Sequence, residues 1–438
     1  MFVLKLNKSV VLDRMKEKNI TTQSDLALRL GMSKSQLSIM LSDDYNPIKT
    51  NVNKLMEILE VSFDDLTNER EEIEMQQMQL FDTGIDRNNY KLTEYTDIDN
   101  VIPNRKYNVF ETFAGAGGLA LGLELSGMNT IGAIEFDKQA VQTLKTNRPN
   151  WKVIEDDINQ FVSEEKYVFL KNNIDILSGG YPCQSFSYAG KRAGLEDARG
   201  TLFYPFAKLV QELKPKVFLA ENVKGLVNHD DGNTLTTMIE VFQEAGYKIY
   251  WNVLNAWDYD VAQKRERIFI VGIRNDLYER QTKPFRFPKP KQRRLVLRDI
   301  LKNVPESPGV KYSEKKHKVL DMVPAGGSWV DLPEEVAKDY LGASWFSGGG
   351  KRGMARRLAW DEPSLTLTTS PSQKQTERCH PDETRPFTVR EYARIQSFPD
   401  EWEFTGGVGS QYKQIGNAVP VNLAKSVGKA IIKYLNQF

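Results

Sequence analysis

The sequence predicts an α/β protein: a doubly wound, mostly parallel sheet flanked by helices, a small irregular domain inserted towards the C-terminus, and an all-α module at the N-terminus. Three observations predict it. Short apolar runs at residues 107–112, 131–134, 151–154, 174–177, 217–220 and 268–273 alternate with helical stretches, as strands buried on both faces do. The first run enters Phe113-Ala114-Gly115-Ala116-Gly117-Gly118-Leu119 and then a helix reaching Gly127, a strand, glycine turn and helix in succession. Residues 10–66, by contrast, carry apolar positions at helical spacing only.

A chain of 438 residues with 40% hydrophobic content holds two or three globular domains. Lys plus Arg (59) nearly balances Asp plus Glu (58), so affinity for nucleic acid must come from local patches. Two cysteines and three histidines give neither a disulfide framework nor a zinc spacing, which implies a reducing, cytoplasmic setting and no metal. No apolar run reaches membrane-spanning length, and the opening Met1-Phe2-Val3-Leu4 is broken at once by Lys5, so neither anchoring nor targeting is expected.

The N-terminal module, residues 1–68, has an informative centre. Residues 23–30 form one helix, Gly31-Met32-Ser33 a tight turn with Ser33 as N-cap, and residues 34–41 a second helix. Small Ala27 suits a close helix crossing; Leu37 and Met40 face inward, leaving Lys34, Ser35, Gln36 and Ser38 outward as donors suited to base edges and phosphates. The pattern resembles the small repressor-like helix-turn-helix domains, with a plain helical bundle for protein contacts as the alternative. Polar residues 69–104, including Glu69-Arg70-Glu71-Glu72, read as a linker.

In the α/β part, glycines at the first turn allow a ligand to approach the backbone and the helix N-terminus. Glu135, an acid about twenty residues on at the end of the second strand, is placed to accept from ribose hydroxyls. Asp157 and Ile158 follow the third strand and could take an adenine amino group and cover its ring, although either acid could equally cap a helix. The fourth strand ends in Gly179-Gly180-Tyr181-Pro182-Cys183-Gln184, placing Cys183 at the sheet edge where such folds bind ligands. A thiol flanked by glycine, proline and polar residues is a poor core segment, so Cys183 reads as a nucleophile. The fifth strand delivers Glu221 to the same edge, where partial desolvation raises a carboxyl pKa and suits it to act as an acid. Arg265 and Arg267, two apart on a strand, share one face and could grip a base and its phosphates together. Between residues 275 and 384 periodicity is lost; basic and glycine-rich pieces, including Arg356-Arg357, with interleaved tryptophans suit DNA contact, and Thr366-Leu367-Thr368-Thr369 alternates like a strand. Thr388 should cap a helix through Ile395, and the terminal helix, 421–435, should pack beside the first glycine turn.

Together these motifs resemble the DNA (cytosine-5) methyltransferases, in the family's order over residues 107–438. The resemblance rests on the glycine turn, Pro182-Cys183-Gln184, Glu221-Asn222-Val223, Gln263-x-Arg265-x-Arg267, Arg385-Pro386-x-Thr388-x-Arg390-Glu391 and Gln414-x-Gly416-Asn417-x-Val419-Pro420. Asp156 stands where glycine is frequent in the family, and Tyr181 where proline or phenylalanine is. The resemblance implies S-adenosyl-L-methionine held by Phe113, Gly115, Gly117, Gly118, Leu119, Glu135, Phe136, Asp157, Ile158, Pro182, Asn417 and Ala418. It implies duplex DNA contacted by Gln184, Ser187, Arg356 and Thr366, besides Lys34, Ser35, Gln36 and Ser38 of the module. Catalysis would fall to Cys183, Glu221, Arg265 and Arg267: the thiolate adds to C6 of a flipped-out cytosine, Glu221 engages N3, and C5 attacks the sulfonium methyl. The loop 187–197 would close behind the base, and no metal is required.

The expected division is a module at 1–68, a linker at 69–104, a catalytic domain at 105–274 and 385–438, and a target-recognition domain at 275–384. The implied role is a restriction-modification methylase acting on a short, palindromic site, with the module as an autoregulatory repressor that pairs into a homodimer on its operator. A nucleotide-sensing regulator leaves Cys183, Glu221 and Arg267 at one edge unexplained; an RNA cytosine methyltransferase leaves the basic insert and the appended module unexplained.

Overall fold

The computed structural model describes residues 6, 8–18, 20, 22–41, 49–61, 94–182, 200–346 and 353–438, of residues 8, 9, 39, 49, 50 and 53 the backbone only. The chain divides into two compact units, Met1–Lys91 and Leu92–Phe438.

The first unit contains helices α1 (Lys8–Glu17), α2 (Gln23–Leu30), α3 (Lys34–Met40) and α4 (Lys49–Leu59). The Thr22 hydroxyl caps α2 by accepting from Asp25 N–H, and Gly31 ends it at φ 71°, a left-handed value that glycine adopts without penalty. Ser33 starts α3 with a reciprocal cap: its N–H donates to Gln36 Oε1 (2.8 Å) and Gln36 N–H donates to its hydroxyl (3.2 Å). Leu26, Ala27, Leu30, Leu37 and Met40 are buried in one core with Val11, Leu55 and Leu59. This is the helix-turn-helix arrangement, with Lys34, Ser35, Gln36 and Ser38 on the exposed face of α3.

The second unit is built on seven strands: β1 (Asn108–Thr112), β2 (Asn129–Glu135), β3 (Lys152–Glu155), β4 (Ile176–Gly179), β5 (Val217–Val223), β6 (Tyr247–Asn255) and β8 (Glu266–Arg274). Their order is β3-β2-β1-β4-β5-β8-β6. The first five run parallel, and β8 is antiparallel to both β5 and β6. Strand order reverses between β1 and β4, so the crevice outside their C-terminal ends is the switch point at which such sheets bind ligands. A two-residue strand β7 (Gln263–Lys264) pairs in parallel with β9 (Ser364–Leu365), whereas residues 366–369, which alternate like a strand in the sequence, lie just beyond β9 and form none.

Helices α5 (Gly118–Ser126), α6 (Lys138–Asn147), α7 (Ile158–Ser163), α8 (Phe203–Leu213), α9 (Asn233–Glu244) and α10 (Asn275–Arg280) intervene, followed by α11 (Leu297–Ile300), α12 (Glu314–Asp321), α13 (Glu334–Leu341), α14 (Val389–Ile395), α15 (Val408–Asn417) and α16 (Val421–Leu435). One sheet face buries Val109, Ile176, Leu219 and Val271 against Leu119 and Leu123 of α5 and Leu423, Val427 and Ile431 of α16. The terminal helix thus lies against the helix that follows the glycine turn. The contact is close because two α5 residues lack side chains: a Cβ on Gly118 would overlap the Val419 carbonyl, and one on Gly122 would overlap the Ala424 methyl. The opposite face is aromatic, with Phe218 4.2 Å from Phe242 and 6.1 Å from Phe206 between ring centroids.

The inserted region has its own core, in which Tyr312, Leu320, Val323, Leu332, Tyr340, Ala355 and Cys379 are buried together. Its first thirty residues pack elsewhere. Phe285 and Phe287 belong to the sheet core, and Leu297 and Leu301 to a second core with Phe387, Tyr392, Trp402 and Ile415. Likewise Tyr95 and Ile98, placed in the linker by composition, are buried against the sheet, and Tyr95 N–H donates to Phe287 O (2.9 Å). Among the described residues no helix is long and apolar enough to cross a membrane.

Gly272 in β8 lies under the Phe218 ring, which any Cβ there would overlap. Gly272→Ala should therefore destabilise the second unit by about 1–3 kcal/mol, the usual cost of overpacking a filled core; an unaltered urea midpoint would remove Phe218 from that role.

Candidate active site

The crevice at the switch point is a cavity of roughly 790 Å³, within the range of small-ligand sites. One wall is the first turn, the end of β2 and the start of α6; the other is the segment after β4, the end of β5 and the start of β8, with residues 366–369 and 413–419 completing the enclosure.

The first turn is held open by its backbone. Phe113 (φ 55°), Gly115 (φ 54°) and Gly117 (φ 87°) all adopt left-handed values, and for Phe113 that is a strained conformation of the kind found at ligand sites. Glu135 organises the loop: Oε2 accepts from Gly115 N–H (2.7 Å) and Oε1 from Asp137 N–H (2.8 Å). Asp137 in turn caps α6 and pairs with Lys413 across the mouth (3.0 Å).

The second wall carries the charges. Glu221 is 9% exposed, and its Oε1 lies 3.0 Å from Arg267 Nε. Burial pushes the Glu221 carboxyl up, against the pull of Arg267 and Arg265, and burial lowers Arg267. Asn222 at the next position donates from Nδ2 to Tyr181 O (2.9 Å), tying the segment after β4 to β5. Tyr181 is itself buried, its ring 5.4 Å from Phe206 and 5.6 Å from Phe203, so the residue that departs from the family's usual choice anchors this segment. Gly180 lies so close to Glu221 that a Cβ there would sit 3.0 Å from Oε2. Pro182, immediately before Cys183, lines the cavity; Cys183, Gln184, Ser187 and the loop 187–197 lie outside the described residues.

Phe113, Gly115, Gly118, Leu119, Glu135, Pro182, Glu221, Arg265, Arg267, Thr366, Asn417 and Ala418 meet in this one cavity. Four other residues assigned to cofactor do not line it. Asp157 caps α7 by accepting from Asn159 N–H (2.7 Å), Ile158 is buried at the start of that helix, Phe136 projects outward at 72% exposure, and Gly117 is covered by Leu144 and Trp402. Arg265 and Arg267 also differ in use. Arg265, 2% exposed, donates to Leu367 O (3.0 Å) and Gly416 O (2.8 Å), and burial lowers its pKa to about 9; both ends of its fork hold the protein's own backbone rather than a phosphate. Arg356 is likewise committed, to both Glu362 oxygens (2.7 and 2.6 Å) and the Gly327 carbonyl (2.9 Å). Gln36, by capping α3, has its side-chain oxygen engaged too.

Glu111, in β1, was not legible as a site residue. It is 1% exposed, lines the cavity, and its Oε2 has no hydrogen-bond partner among the described residues. Burial first, then the charges of Glu135 and Glu221, push this carboxyl well above the carboxylate range. The one signal in the sequence was an acid inside an apolar strand directly before a glycine turn.

A sheet of this order with this crevice defines a methyltransferase-type α/β unit, and the chain's kinship agrees. Residues 107–433 match the C-5 cytosine-specific DNA methylase model and residues 12–68 the Cro/C1-type helix-turn-helix DNA-binding domain. The protein belongs to the C-5 cytosine-specific DNA methylase family and is a DNA (cytosine-5-)-methyltransferase. It is 62% identical over 435 residues to type II methyltransferase M.Sau96I of Staphylococcus aureus, covering 99% of this chain and 100% of that one. It is 53% identical to M.Eco47II of Escherichia coli over 77% of this chain and 81% of the relative, and 35% identical to M.HhaI of Haemophilus parahaemolyticus over 74% and 94%. Among solved structures, Spodoptera frugiperda DNMT2 shares the fold at 19% identity and a TM-score of 0.51, over 74% of this chain and 99% of that one.

The raised pKa of Glu111 has a stability consequence whose sign is fixed. A carboxyl with a folded pKa above its unfolded value of about 4.3 contributes stability below that value and loses it as pH rises through the folded pKa. Glu111→Gln cannot titrate, so its stability relative to the parent should grow between pH 5 and pH 8 in urea unfolding of the ligand-free protein. Parallel pH profiles would show that the carboxyl is not held neutral.

Proposed function

We propose that the enzyme methylates C5 of a cytosine flipped out of a short, specific duplex site, using S-adenosyl-L-methionine and a covalent bond between Cys183 and C6, and that it protects DNA from a cognate restriction enzyme. The observation that carries this reading is the convergence of a buried carboxyl-guanidinium pair, Glu221 and Arg267, with the strained glycine turn in one cavity that the chain leaves at Pro182. The type II relatives support the restriction-modification role.

The residues fit the methyl donor, which is a cation. The cavity presents the Glu111 and Glu135 carboxyl groups to it, and the turn at Phe113–Gly115 leads into the N-terminus of α5 on the same wall. When bound, the cofactor supplies an electrophilic methyl group. Glu221, whose carboxyl burial pushes up against the pull of Arg267 and Arg265, would engage cytosine N3, while Arg267 offers donors for the base's O2 and keeps Glu221 in place. Cys379 is a poor alternative nucleophile: it is 0% exposed and burial raises its thiol pKa. The reacting atoms of cytosine are inaccessible within a stacked duplex, so the base must leave the helix to reach this crevice.

Duplex in which 5-fluorocytosine replaces the target base should become irreversibly attached at Cys183, because fluorine cannot leave as a proton does. Mapping the adduct to Cys379, or finding none, would sink the assignment. Glu221→Gln should retain cofactor binding while methylation falls by about 10²–10⁴-fold, the usual cost of a lost general acid.

For the helix-turn-helix unit we propose operator binding as a homodimer, repressing the enzyme's own gene, with Lys34, Ser35 and Ser38 facing the major groove. One such helix reads too few base pairs for tight specificity, which is why paired copies serve palindromic operators. Deleting residues 1–68 should abolish operator binding and leave the methylated sequence unchanged. Loss of methylation specificity in a folded truncation would assign the unit to substrate recognition instead.

A further inference from the structure

Gly416 belongs to the turn that the sequence assigns to the cofactor, yet its missing side chain answers to another neighbour. It closes α15 without a left-handed φ, so its backbone conformation is open to any residue. A Cβ there would overlap the carbonyl oxygen of Thr368 and sit 2.8 Å from Thr369 N. The arm formed by residues 366–369 therefore rests directly on the backbone of this turn. Two side chains of β7 and its extension fasten the same arm. Leu367 N–H donates to Gln263 Oε1 (2.9 Å), and Leu367 O accepts from Arg265, whose other Nη holds Gly416 O (2.8 Å). Gln263 continues through Gln396, whose Nε2 donates to Ile415 O (2.8 Å) and Ala418 O (3.1 Å). Leu367 is buried, and its neighbours Thr366 and Thr368 line the cavity.

We propose that Gly416, Gln263 and Arg265 are positioning residues for DNA: they form a seat that fixes the height of the 366–369 arm over the cleft, so that the arm's DNA-facing groups stay in register with the flipped-base pocket at Glu221. The proposal rests on the reading above that this arm faces DNA. A Cβ at Gly416 must lift the arm away from the cleft while leaving Asn417 and Ala418 on the cofactor side. Arg265→Lys keeps the charge but replaces a planar fork that holds two carbonyls at once with a single ammonium.

The test uses the full-length enzyme, with kcat and the two KM values measured separately for S-adenosyl-L-methionine and for a duplex that the parent enzyme methylates. Deep sequencing of methylated plasmid reads site preference. Gly416→Ala and Arg265→Lys should each lower kcat/KM for DNA by about 10–100-fold, as misplacements near 1 Å do, and raise off-site methylation. KM for the cofactor should stay within about threefold. If Gly416→Ala does not fold, Arg265→Lys carries the comparison. An equal rise in both KM values, or unchanged DNA parameters, overturns the seat. Thr366→Val with Thr368→Val distinguishes the two readings: if that pair leaves DNA parameters untouched, the arm does not face DNA; if it alters them while the seat variants do not, the seat alone is wrong.

Discussion

The pairing of Glu221 with Arg267 imposes a requirement that the rest of the sheet satisfies. A carboxylate at 9% exposure is tolerable only with a close counter-charge, because desolvating either ion alone costs several kcal/mol. Glu221 sits near the C-terminal end of β5, and its partner must arrive at that same edge. A parallel neighbour would bring its own C-terminus there and bury its start at the far side. Because β8 runs antiparallel, with Val223 opposite Arg267, the first residues of β8 reach the catalytic edge while its apolar middle, Ile268 to Ile273, stays in the core. The reversal in an otherwise parallel sheet thus brings an arginine from the start of one strand beside an acid near the end of its neighbour.

Glu111, Glu135 and Glu221 place three carboxyl groups around one cavity. Glu135 is stabilised by two backbone N–H groups and Glu221 by Arg267, whereas Glu111 has neither among the described residues. Burial first, and then the charges of Glu135 and Glu221, push the Glu111 carboxyl well above the carboxylate range.

Much of this was legible in the sequence because it depends on short-range rules. Apolar runs gave the five parallel strands to within a few residues, Ser33 and Thr388 announced their helices as caps, and Glu221 followed from an acid at the end of an apolar strand. What escaped depends on partners far along the chain. Arg265 reads as a DNA ligand until Leu367, 102 residues later, and Gly416, 151 residues later, take its fork. Arg356 reads as a basic surface residue until Glu362 closes on it. The edge strand β6 alternates buried Tyr247, Ile249 and Trp251 with half-buried Lys248, Tyr250 and Asn252, and so forms no continuous apolar run of the kind that marks the central strands. Residues 285–301 lack periodicity because they pack singly, as Phe285, Phe287 and Leu297 inserted into cores built by other elements.

The glycines of the motifs show why composition suggests a ligand site more readily than its construction. Gly115 and Gly117 meet the expectation in backbone terms, since both adopt left-handed φ. Gly118, Gly122 and Gly416 serve a different need: each lacks a side chain where another segment of the same chain passes at van der Waals distance. Those segments are the start of the terminal helix, against Gly118 and Gly122, and the 366–369 arm, against Gly416. The turn beside the cofactor half of the cavity is consequently clamped between α5, α16 and the arm that completes the other half. The cavity is therefore assembled from segments far apart in the chain, the arm resting on the backbone at Gly416 and the start of the terminal helix resting on Gly118 and Gly122.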